Sequence, residues 1–117
     1  MKERKSLFIE FFGDYPIIRV LDFLIMNRIF DYTKTEICEE SDVSWNTLEL
    51  FWNKLVKRKI VKLTRNIGRA QLYQLNTENI MVKQLLEFNK KLMRHSIECL
   101  ASTDFKTPAK RKVSVRT

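Results

Sequence analysis

Apolar positions along the chain change period several times, and each change marks a new element. Leu48, Trp52 and Leu55 recur at i, i+4 and i+7. That spacing predicts a helix from Ser44 to Arg58 with one inward face. Ser44 is a natural N-cap, because its hydroxyl can accept from a first-turn N–H, and Val43 before it can staple onto the same face. A shorter helix is predicted from Lys34 to Glu40. Thr33 or Thr35 would cap it, and Glu36, three residues past Thr33, would complete a capping box. Ser41, Asp42 and Val43 form the turn between the two. The period then drops to two. Ile60 to Thr64 reads as a strand, Asn66 to Arg69 as a turn, and Ala70 to Leu75 as the returning strand. Gly68 supplies a backbone that tolerates positive φ at the tip.

The flanks read in the same way. Ser6 to Phe12 is a short apolar segment, predicted helical. Its Leu7, Phe8, Phe11 and Phe12 would bury against the core or a second subunit. Gly13 to Pro16 breaks it, and Pro16 suits a helix start. Ile17 to Arg28 is a helix with an apolar stripe of Ile17, Val20, Leu21, Leu24 and Ile25. Phe30 to Tyr32 is a short strand that pairs with the hairpin. Thr77 is the predicted cap of a long helix over about 78–100, with apolar residues at Val82, Leu85, Leu86, Leu92, Met93, Ile97 and Leu100.

The resulting order is helix, strand, helix, helix, strand, strand. It predicts a mainly α fold with a small β-hairpin wing, a winged helix-turn-helix, over residues 1–101. The long last helix outruns one small domain, so its seam of Leu85, Leu92, Met93, Ile97 and Leu100 predicts a homodimer, the alternative being a helix that folds back across its own core. Thr, Pro, Lys and Arg dominate 102–117, which predicts a disordered basic tail.

Composition narrows the function classes. The net charge is +8 over 117 residues. From Ser44 to Arg69 there are seven basic residues (Lys54, Lys57, Arg58, Lys59, Lys62, Arg65 and Arg69) and one acid, Glu49. The preceding helix and turn carry Glu36, Glu39, Glu40 and Asp42 against Lys34. Basicity confined to one helix and a hairpin suits a polyanion such as double-stranded DNA. In this fold the second helix of the pair enters the major groove. Its outward residues Trp45, Asn46, Thr47, Glu49, Leu50 and Asn53 are the candidate base contacts. Asn can pair with adenine, Glu49 can accept from cytosine, and Thr47 or Leu50 can meet a thymine methyl. Ser44, Lys54, Lys57, Arg65 and Arg69 are the candidate phosphate contacts.

No arginine stands among the outward positions of the first two turns, and Trp45, Leu50 and Phe51 make that face apolar. A protein partner on the Trp45, Leu50 and Phe51 face is therefore the rival reading. An enzyme is not expected. No nucleophile stands near a base, no Gly-rich phosphate loop is present, and the chain has two glycines. Cys38, Cys99 and the single His95 offer no recognisable metal-ligand spacing, so no metal and no cofactor are expected. Both thiols read as reduced core residues of a cytoplasmic protein. Neither a signal peptide nor a membrane span is predicted.

Several stretches resemble known regulators. Val43-Ser44-x-x-Thr47-Leu48, then Leu55, then Ile60-Val61 is similar to the recognition-helix pattern of MarR- and ArsR-type winged-helix proteins. Phe12 to Pro16, Phe30 to Tyr32, and Ile67 to Asn76 (IGRAQLYQLN) resemble a group of small archaeal winged-helix proteins. The likeness covers about Leu7 to Leu92. It implies DNA binding as a dimer, in the cytosol, with a role in transcription or genome maintenance. Trp52, where that pattern has Leu or Ile, and Trp45, where it has a polar or basic residue, depart from it.

Overall fold

A computed structural model describes residues 6–101, with side chains through residue 97. Its elements are α1 (Leu7–Phe12), α2 (Pro16–Met26), β1 (Tyr32–Thr33), α3 (Lys34–Ser41), α4 (Trp45–Lys57), β2 (Val61–Ile67), β3 (Ala70–Leu75) and α5 (Ile80–Ala101). The described part is mainly helical with one small antiparallel sheet in the order β1-β3-β2. The predicted tail, 102–117, lies outside the described residues.

Each helix start has a local cause. Ser6 Oγ accepts from Ile9 N at 3.1 Å and donates to Asp22 at 2.8 Å, which caps α1 and ties it to α2. Gly13 ends α1 at φ 103, a backbone that side chains rarely adopt, and Pro16 opens α2. Thr33 and Glu36 form the capping box expected of α3. Between α3 and α4 the chain turns through Asp42 in the left-handed region, and Val43 N donates back to Cys38 O at 3.0 Å. Arg19 on α2 fastens this turn by donating to the carbonyls of Ser41 and Asp42, both at 3.1 Å.

Helix α4 ends in the same manner. Lys59 takes φ 61, and Ile60 N donates to Leu55 O at 2.9 Å. The exposed carbonyls are then collected from a distance. Asn76 donates to Lys59 O, and Asn79 donates to both Arg58 O and Lys59 O. Asn79 also accepts from Met81 N at 2.8 Å, which makes it the residue that caps α5. The expectation of Thr77 is corrected by two positions.

In the hairpin β2 pairs with β3 from Val61↔Leu75 to Ile67↔Ala70, so the strand runs three residues past the predicted Thr64. The register slips between Leu63 and Arg65, leaving Thr64 as a bulge. Gly68 leads the two-residue turn with φ 60. Strand β1 adds to the other edge through Tyr32↔Tyr73 and Thr33↔Leu72.

The core is a single cluster. Phe8, Val20, Leu24, Ile25, Ile37, Leu48, Trp52, Leu55, Val61, Leu75 and Val82 meet in it. Trp52 adds an edge-on contact to Tyr73, with ring centroids 5.1 Å apart. A helix of six residues can turn one side inward, and in α1 Phe8 takes that place. Phe11 is 60% exposed and Phe12 40%, so neither enters the core of its own chain; both rings touch Phe88 on α5.

Candidate nucleic-acid interface

Burial of Leu48, Trp52 and Leu55 decides which way α4 faces. Asn46, Leu50, Asn53 and Lys57 then share one exposed stripe at i, i+4, i+7 and i+11. Trp45 is half-exposed at the helix start, and Lys54 is exposed near its end. Lys57, Arg58 and Lys59 follow, and Lys62, Arg65 and Arg69 continue along the exposed hairpin. Among the described residues no ion pair engages Lys54, Lys57, Lys62 or Arg69.

Four predicted contacts already have partners within the chain. Ser44 Oγ accepts from Thr47 N at 3.2 Å and donates to Thr47 Oγ1 at 2.9 Å, so both hydroxyls serve the cap. Thr47 is half-buried as well. Glu49 accepts from Lys34 Nζ in an ion pair. Arg65 closes on Asp31 through two bonds, Nε to Oδ2 at 2.9 Å and Nη2 to Oδ1 at 3.2 Å. Glu49 is thus the partner of Lys34 within the chain, and Arg65 is one half of a clamp with Asp31. Phe51 is half-buried against the core, which leaves Trp45 and Leu50 of the apolar trio exposed.

Sequence reasoning missed the two residues that impose these pairings. Lys34 lies 4.7 Å from the ring centroid of Trp45 and 5.7 Å from that of Trp52, so one ammonium serves Glu49 and two indoles. Asp31 also accepts from the bulged Thr64 at 2.6 Å. The Arg65 bonds, and then the Thr64 bond, hold its carboxyl below the usual carboxylate range, and the same clamp raises the Arg65 guanidinium. The partners stand 33 and 34 residues away, beyond any local pattern.

Acid collects elsewhere. An open cavity of about 790 Å³ between α1, α2 and α3 is lined by Asp14, Asp22, Glu36, Glu40 and Asp42, with Arg19 its single cationic lining residue. Burial raises the Asp22 carboxyl, partly offset by its bond from Ser6. Cys38 is buried, and burial raises its thiol, which keeps it protonated near neutral pH. The side chain of Cys99 lies outside the described residues.

The predicted seam divides. Leu85 is half-buried against the core of its own chain. Leu92 is half-buried, whereas Met93 and Ile97 are exposed; the side chain of Leu100 lies outside the described residues. Among the described residues no group of His, Cys, Asp and Glu could hold a metal ion, and no helix is long and apolar enough to cross a membrane.

No family model, curated protein or solved structure matches the chain.

Proposed function

We propose that this chain is a winged helix-turn-helix protein that binds double-stranded DNA as a homodimer and regulates transcription. The observation that carries this reading is one exposed stripe, Asn46, Leu50 and Asn53, that leads into Lys54, Lys57, Lys62 and Arg69 on the end of α4 and along the hairpin, which no ion pair engages among the described residues. Helix α4 enters the major groove, and Lys54, Lys57, Lys62 and Arg69 meet phosphates on either side. The acidic side chains that line the cavity come from α2, α3 and the turns beside them, not from the exposed stripe of α4 or the hairpin.

The dimer reading draws on apolar surface that the described chain leaves uncovered. Phe11 and Phe12 against Phe88, and Met93 and Ile97 further along α5, are its members. Ile97→Asp places a charge there without touching the core, and it should shift the chain from dimer to monomer in analytical ultracentrifugation.

Selection from a random-sequence duplex library tests the function. The expected result is an inverted repeat with half-sites one helical turn, about 34 Å, apart. Tight binding without enrichment would instead favour a non-specific role in plasmid or chromosome maintenance.

A second reading, a protein docked on this face, is favoured by Leu50, which is 80% exposed, and by Trp45. With Phe51 turned to the core, two separate side chains remain there rather than a broad patch.

A further inference from the structure

Which bases α4 can read follows from the groups that internal contacts leave available. Glu49 is the single acid of the helix, and its carboxylate is held by Lys34. Lys34 is itself confined, its side chain 20% exposed between the Trp45 and Trp52 rings. Thr47 is half-buried beside the cap, and its hydroxyl accepts from Ser44. Four side chains therefore remain: Trp45, Asn46, Leu50 and Asn53. None is cationic, and the first cation of the helix, Lys54, comes after them.

Guanine presents two acceptors in the major groove, and its usual partner is a bidentate Arg or Lys. Cytosine presents an N4 donor, which Glu or Asp accepts. The first two turns of α4 lack the former, and Lys34 holds the latter. Adenine pairs its N6 and N7 with one Asn side chain, and thymine offers a methyl to apolar groups. The available set matches these two bases.

We infer that α4 reads A·T base pairs, with Asn46 and Asn53 on adenine and with Leu50 and Trp45 on thymine methyls. This rests on the DNA-binding reading above. Asn46 and Asn53 stand about 10 Å apart along the helix axis, at about 1.5 Å per residue. At about 3.4 Å per base pair that spans roughly three base pairs, with Leu50 between the two amides. Lys34 is the positioning residue. It fixes the Trp45 indole and withdraws Glu49 from the cytosine edge.

The test measures binding of the full chain to four labelled duplexes. One has an A·T core, one a G·C core, one the A·T core with every thymine replaced by uracil, and one with 5-bromouracil in those places. Uracil removes only the methyl, and bromine restores an apolar group. The expected order is A·T above G·C, with a loss of about fourfold for each contacted methyl in the uracil duplex and recovery with bromouracil. Leu50→Ala, at an exposed position, should shrink the difference between thymine and uracil. Lys34→Met should raise relative binding to the G·C core by freeing Glu49. Equal affinity for thymine and uracil duplexes, or a difference that Leu50→Ala leaves undiminished, would overturn the inference and leave DNA binding standing. Failure to bind any of the four duplexes would overturn both.

Discussion

Helices α3 and α4 are made by the same local rules and carry opposite charge. Each begins at a hydroxyl cap, Thr33 in one and Ser44 in the other. Each is followed by a non-glycine residue in the left-handed region, Asp42 and Lys59. Each buries an apolar face in the same core, Ile37 and Cys38 from α3 and Leu48, Trp52 and Leu55 from α4. Yet α3 is rich in Glu, with Asp42 after it, and lines an acidic cavity, while the end of α4 and the hairpin beyond it are basic. Backbone rules and core packing account for what the two share. They give no reason for the charge difference, which we assign to function.

The largest effect expected is one that breaks the shared core. Trp52 is 2% exposed, and among the described residues its indole N–H has no hydrogen-bond partner. Trp52→Ala removes a large buried side chain and should cost about 3–5 kcal/mol in chemical denaturation. Trp52→Phe keeps most of the packing and removes the unpartnered N–H, so it should cost much less. A phenylalanine variant as unstable as the alanine variant would show that the indole N–H has a partner after all.

A middle-sized effect is expected where acid intrudes on the basic side. Asp31 occupies the Arg65 fork, and Asp31→Asn releases it. The variant should bind duplex DNA several-fold more tightly at low salt, with a salt slope steeper by about one unit. The same pair gives stability a pH dependence. Because the folded carboxyl sits below its ordinary value of 3.8, its contribution is present above that value and is lost as the pH falls through the folded one. Acid unfolding of Asp31→Asn should lack this component. Matching acid profiles for parent and variant would show that the clamp does not persist in solution.

The smallest effect concerns the helix end. Lys59 holds φ 61 without being glycine, so Lys59→Gly should raise stability by about 1 kcal/mol and the Tm by several degrees. Asp42→Gly at the matching place after α3 should gain less, because Asp tolerates this conformation better than Lys does. Loss of stability in Lys59→Gly would mean that the side chain contributes more than the backbone costs.

Features written within a few residues were legible in the sequence. The period of Leu48, Trp52 and Leu55 placed α4, the Thr33–Glu36 spacing gave the capping box, and the β3 bounds matched. Long-range polar pairs were not legible. Lys34 reaches Glu49 across 15 residues, and Asn79 reaches Arg58 across 21. Their sequence spacing carries no period, since tertiary packing alone brings them together. The cap of α5 was misplaced because Thr77 and Asn79 are both good caps, and the Asn79 bonds to the end of α4 favour the later one. For the candidate interface, the outward stripe could be read from helix geometry. The loss of Glu49 and of the Arg65 fork to internal partners could not.

The central claim is that the exposed cations of α4 and the hairpin face phosphate. Affinity for a mixed-sequence duplex, measured across a salt series, tests it most directly. The account predicts a steep fall of log Kobs with log salt, with a slope shallower by about one unit in each of Lys54→Ala and Arg69→Ala. Absence of binding at low salt, or the same slope in the parent and both variants, would contradict it.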